Sequence, residues 1–99
     1  MRVEILDPAH EDLLDGTWFY ERQEPGLGLY FSDTLYGEIE SLAIYAGIHP
    51  RRQGFFMMVS RTFPYSIYYD IEDGVTLVYA VLDNRRNPDW ISGHLSQAR

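Results

Sequence analysis

The groups in this sequence able to hold a phosphate, a carboxylate or a partner's charge are its arginines. They gather at Arg51-Arg52, Arg61 and Arg85-Arg86, and the chain has no Lys. A guanidinium stays charged at every physiological pH and presents a planar fork that grips an anion with two hydrogen bonds. Arg85-Arg86 follows the apolar run "VTLVYAVL", so the end of a strand presents the pair rigidly. There it contacts a partner or a phosphate, or one member pairs structurally with Asp83, Asp89 or an acid of the helical hairpin. Arg61 precedes Phe63-Pro64 on the same sheet and is expected near the pair. Arg51-Arg52 follows Pro50 and reads as a solvated loop pair.

Other chemistry is sparse. Asp83 acts as an acid at neutral pH only if its pKa rises by several units, and a nearby Arg pushes it down, so a salt bridge is expected. His10, His49 and His94 are far apart and lack ligand spacing, so no metal is expected. The absence of Cys removes disulfides, thiolate metal sites and a thiolate nucleophile. No Gly-rich phosphate loop and no G-x-S-x-G is present, and no cofactor is expected. A second candidate is apolar: Phe55, Phe56, Met57 and Met58 stand in a row. On a strand two of them face away from the other two, and an uncovered apolar face marks an interface.

The elements that carry these residues follow from spacing. Arg2 to Leu6 alternates as a short strand. Asp7 serves as N-cap and Pro8 as first helical residue, with Glu11 and Asp12 in the first turn. Leu13, Leu14, Trp18 and Phe19 supply the apolar stripe of that helix to about Arg22. "QEPGLG" breaks the chain. From Leu29, Phe31, Leu35, Ile39, Leu42 and Ala46 recur three or four apart, giving a second helix that Gly47 ends. "IHPRRQG" reads as a loop. Phe55–Ser60 and Phe63–Ile71 read as strands, with Phe63, Tyr65, Ile67, Tyr69 and Ile71 on one face. Asp73-Gly74 predicts a tight type I′ hairpin, and Val75–Leu82 a strand covered on both faces. Asn87-Pro88 stops it, and Asp89–Gln97 predicts a terminal helix. Pro88 aims Trp90 back against the sheet, where Trp90, Tyr65 and Tyr69 read as core or core edge.

The order β-α-α-β-β-β-(α) defines an α+β domain, with a helical hairpin packed on one face of an antiparallel-rich sheet that the first strand joins. Ninety-nine residues make a single domain, 1–99, and 45% apolar with 15% aromatic content supports a folded core. The N-terminus lacks the pattern of a signal peptide and no window is long and apolar enough for a membrane span, so a cytoplasmic protein is expected. A net charge of −7 repels nucleic-acid phosphates except where cations cluster.

Three segments carry a resemblance: "AHEDLLDGTWFYERQEPGLGLYF", "RTFPYSIYYDI" and "VYAVLDNRRNPDW". In this order and at this spacing, from Ala9 to Trp90, they resemble the RelE/ParE superfamily, the toxins of bacterial type II toxin–antitoxin systems, also called plasmid-stabilisation proteins. The resemblance implies a RelE/ParE-like fold and a cognate antitoxin seated in an apolar groove between the helical hairpin and the sheet, for which Phe55, Phe56, Met57 and Met58 are the candidates.

Two activities occur in proteins of that kind. RelE-like members cut messenger RNA on the ribosome with Lys and Arg side chains that stabilise charge building on the phosphate, assisted by a Tyr. Here the matching positions are Met57, Val59, Ser66, Asp83-Asn84 and Trp90, so nearly every cation of that set is replaced. ParE-like members lack the nuclease set and poison DNA gyrase by protein contact. The resemblance therefore implies a ParE-like toxin, with Arg61, Arg85, Arg86 and Trp90 as candidates for contact with a target or a phosphate. A divergent ribosome-dependent nuclease using Arg61, Arg85 and Arg86, or an inactive member, is the alternative.

Overall fold

A computed structural model describes residues 1–99. The chain runs β1 (Arg2–Ile5), α1 (Asp7–Glu21), α2 (Leu27–Glu40), α3 (Leu42–Tyr45), β2 (Arg51–Arg52), β3 (Phe55–Val59), β4 (Tyr65–Glu72), β5 (Val75–Asp83) and α4 (Pro88–Ser96). The five strands form one sheet in the order β1-β5-β4-β3-β2. β1 joins parallel to β5, with Arg2 opposite Val75, and all other pairings are antiparallel.

Each face of the sheet has its own core. The α1–α2 hairpin covers one face, where Leu13, Phe31, Leu35 and Ile39 meet Tyr65, Ile67, Tyr69, Val78 and Val81. On the other face Ile91 and Leu95 of α4 cover Phe55, Tyr68, Ala80 and Leu82. A bulge in β5 makes this division possible. Tyr68 pairs with Ala80 but Tyr69 pairs with Val78, which leaves Tyr79 as the extra residue. The inserted residue reverses the alternation, so Val78 and Val81, three apart, both face the hairpin. Asp73 and Gly74, at φ 51° and 76°, make the tight turn expected between β4 and β5.

Several boundaries and faces differ from the sequence expectation. Leu6, not Asp7, occupies the N-cap of α1, and no side chain caps it; Glu11 and Asp12 fall beyond the first turn. The buried stripe of α1 is Ala9, Leu13, Gly16 and Tyr20, whereas Leu14, Trp18 and Phe19 are exposed. Gly16 explains the shift: a Cβ there would lie 2.6 Å from the Phe31 ring, so α1 approaches α2 along its small residues. The second helix breaks after Glu40 into α3, and Ala46 lies beyond it. β4 begins at Tyr65 rather than Phe63, because Pro64 has no N–H for the ladder. Arg51-Arg52 is not a loop but the edge strand β2, paired with Phe56 and Phe55.

The "PGLG" segment is held by a reach across the hairpin. Glu21 accepts the N–H of Gly26 at 3.1 Å and of Gly28 at 3.0 Å, which satisfies two orphan donors at the start of α2. Gly26 has φ 90°, and a Cβ at Gly28 would lie 2.5 Å from the Thr17 carbonyl oxygen.

Candidate functional site

Two recesses flank the sheet. The first, about 640 Å³, opens between α1, the end of β5 and α4. Arg86 and Trp90 form one wall and Trp18, Phe19 and Arg22 of α1 the other, with Asp12, Tyr65 and Asp83 also lining it. Trp90 is 38% exposed and does not pack back against the sheet. Ile91 and Leu95 take the buried face of α4, and the turn of the helix carries Trp90 outward. Asn87 caps α4 by accepting the Asp89 N–H at 2.8 Å, which fixes that orientation.

The two adjacent arginines have different fates. Arg85 binds Asp83 as a bidentate pair, Nε to Oδ1 at 3.0 Å and Nη2 to Oδ2 at 2.8 Å. That bond holds the Asp83 carboxyl below its ordinary value, so Asp83 is a structural anion and not an acid. Arg86 makes no ion pair, and its guanidinium lies 4.2 Å from the centre of the Trp90 ring. Trp90 in turn stacks on His94, with ring centres 4.8 Å apart. The result is a column of cation, indole and imidazole along one wall of the recess.

Sequence reasoning missed Asp12. β1 ends at Ile5, and Leu6 donates to the Val78 carbonyl as the last bond on that side of β5. Farther along β5 the Val81 N–H is taken by Asp12 Oδ2 at 3.0 Å. Asp12 thus completes the sheet edge where the strand runs out. Burial pushes its carboxyl up to about 6, opposed by the Val81 N–H and by His94. Burial and the Asp83 charge push the Tyr65 hydroxyl up to about 12.

The second recess, about 850 Å³, lies between α2–α3 and the end of β3. Met58 and Arg61 line it together with Glu38, Tyr45, Ile48 and Val59. Arg61 therefore does not join Arg85 and Arg86: it borders a different cavity, and its backbone N–H donates to Glu38 Oε2 at 2.9 Å. The four residues of "FFMM" divide by strand alternation. Phe55 is sealed in the α4-side core, and Met57 packs on that core. Phe56 and Met58 pack on the hairpin-side core, and Arg51 lies over the Phe56 ring at 4.1 Å. Phe55 is closed to any groove, and of the four only Met58 borders a cavity.

No group of His, Asp and Glu is arranged to hold a metal ion, and no helix is long and apolar enough to cross a membrane. The architecture is a RelE/ParE-like α+β fold, the class that the three sequence segments implied. A solved structure described as "Chromosomal ParDE TA system from P. aeruginosa" contains a chain that matches this one with a TM-score of 0.75. The two are 15% identical, over 82% of this chain and 92% of the other. No family model matches the sequence, and no curated protein matches it.

Proposed function

We propose that this chain is the toxin component of a type II toxin–antitoxin module. In this reading it resembles ParE, acts in the cytoplasm on a protein target such as DNA gyrase, and is neutralised by a cognate antitoxin. Support comes first from the fold, shared with a chain from a ParDE system. The observation that carries the choice of a protein target is the character of the positions where a RelE-type nuclease places its cations. Met57 is half-buried on the α4-side core, and Ser66 is buried and donates to Asn84 Oδ1 at 2.7 Å. Asp83 is neutralised by Arg85. These positions themselves offer no cation to a phosphorane intermediate. The Arg86–Trp90 column suits a protein contact instead, since Arg and Trp dominate interface hot spots.

The test is expression of the chain without any antitoxin. Growth arrest with filamentation and DNA damage is the expected result. Arrest with severed messages would favour the nuclease reading, with Arg86 as its exposed cation. Normal growth with good soluble yield would mark an inactive member.

A further inference from the structure

The second recess carries a feature that the fold does not explain. Glu38 Oε2 accepts the Arg61 N–H, but Glu38 Oε1 is buried and receives no hydrogen bond from any group of the protein. A carboxylate oxygen withdrawn from water without a donor is costly, and an incoming N–H donor, above all a charged one, removes that cost. Exposed apolar side chains share the recess with polar ones: Ile48 is 73% exposed, and Tyr45 and Val59 are more than half exposed. Asp33 lines the same recess and makes no ion pair. The Arg61 guanidinium does not pair with Glu38, and His49 is held towards its neutral form by burial while its Nδ1 bonds the Tyr69 hydroxyl. The recess wall also includes Gly37, where an added Cβ would meet nothing within 4 Å. Over the whole chain the net charge is −7, which attracts a basic partner.

We propose that this recess binds an Arg or Lys side chain carried on a short amphipathic segment of a partner protein. On binding, the Glu38 carboxyl turns so that Oε1, closed to solvent in the free chain, meets the cation, with Asp33 adding attraction at the rim. Aliphatic or aromatic residues three or four positions away on the same segment cover Ile48, Tyr45 and Val59, the helix-in-groove mode of recognition. The inference rests on the reading that the chain works through protein partners, and it specifies a basic partner segment at this site.

A random peptide library displayed on phage and selected against the purified chain tests it. The selected peptides are expected to carry Arg or Lys beside apolar residues. Their affinity should fall about tenfold or more in Glu38→Gln, the scale of a lost charged hydrogen bond. Gly37→Leu should weaken them as strongly by filling the recess. Both variants should keep the wild-type melting temperature, because Glu38→Gln retains an oxygen for the Arg61 N–H and Leu is a better helix former than Gly. Leu14→Ala, on a residue that borders neither recess, should bind as wild type. Enrichment of acidic or purely apolar peptides, no enrichment at all, or basic peptides indifferent to Glu38→Gln would overturn the proposal. Any of these results, alongside intact growth arrest, would remove the basic segment and leave the toxin reading standing.

Discussion

The guanidinium of Arg86 rests on the indole of Trp90, 4.2 Å from its centre, while the adjacent Arg85 is bound to Asp83. One arginine of the pair is therefore a fastener for the end of β5, and the other is a charge presented on an aromatic platform. An exposed cation–π contact contributes about 0.5–1 kcal/mol to the fold. Removing Arg86 should cost little stability while removing a surface feature. We expect Arg86→Ala and Trp90→Ala each to abolish growth arrest, with circular dichroism unchanged and Tm within a few degrees of wild type. Arg85→Ala should lower Tm and leave arrest intact. Arrest that survives the double change of Arg85 and Arg86 to Ala would remove the pair from the site.

Asp12 sets a pH dependence. Burial lifts its carboxyl from 3.8 to about 6. A group that holds its proton more tightly in the folded state adds stability that is complete below its unfolded value and is lost as pH rises through its folded value. Asp12→Asn keeps an oxygen for the Val81 N–H but cannot ionise. The Tm of wild type minus that of Asp12→Asn should therefore fall as pH is raised from about 4 to about 6. A difference that stays flat across this window would show that Asp12 is not desolvated in the recess.

The hairpin turn makes a third prediction. Gly28 leaves no room for a methyl group, because the Thr17 carbonyl oxygen and the Glu21 Cβ would lie 2.5 and 2.8 Å from it. Gly28→Ala should destabilise the fold by about 1–3 kcal/mol, the cost of overpacking. Glu21→Ala, which strips the acceptor from the Gly26 and Gly28 N–H groups, should cost about 1 kcal/mol, as other helix caps do. Urea unfolding followed by tyrosine and tryptophan fluorescence checks both. A Gly28→Ala midpoint equal to wild type would mean that α1 and α2 can separate without loss.

Much of the architecture was legible because its signals are local. The alternation through Tyr65, Ile67 and Tyr69, the Asp73-Gly74 turn and the apolar run of β5 each state their own structure, and the "PGLG" break states where the hairpin folds. The stripe of α1 was misread because Gly16 has no hydropathy to mark it, although its lack of a side chain decides which face meets Phe31. The β5 bulge at Tyr79 is silent for a similar reason: a continuous apolar run hides a change of face. At the candidate site, Arg86 was singled out from its place after the last strand and Trp90 only through the family resemblance; the two line one recess. Asp12 was missed because its role depends on β1 ending early, a fact of pairing between distant segments. Arg61 was placed beside the wrong partners because sequence proximity to Phe63-Pro64 does not say which side of the sheet a turn faces. The same limit applies to Trp90, whose exposure follows from the phase of α4.

In the function proposed above, the chain works by touching a protein and not by cutting RNA. The most direct test of this adds the purified chain to ribosomes stalled on a defined message and maps the 5′ ends of the RNA at nucleotide resolution. Full-length transcript is expected at every codon, with the same chain still arresting growth when expressed without an antitoxin. Codon-phased cleavage in the decoding site that disappears with Arg86→Ala would contradict it.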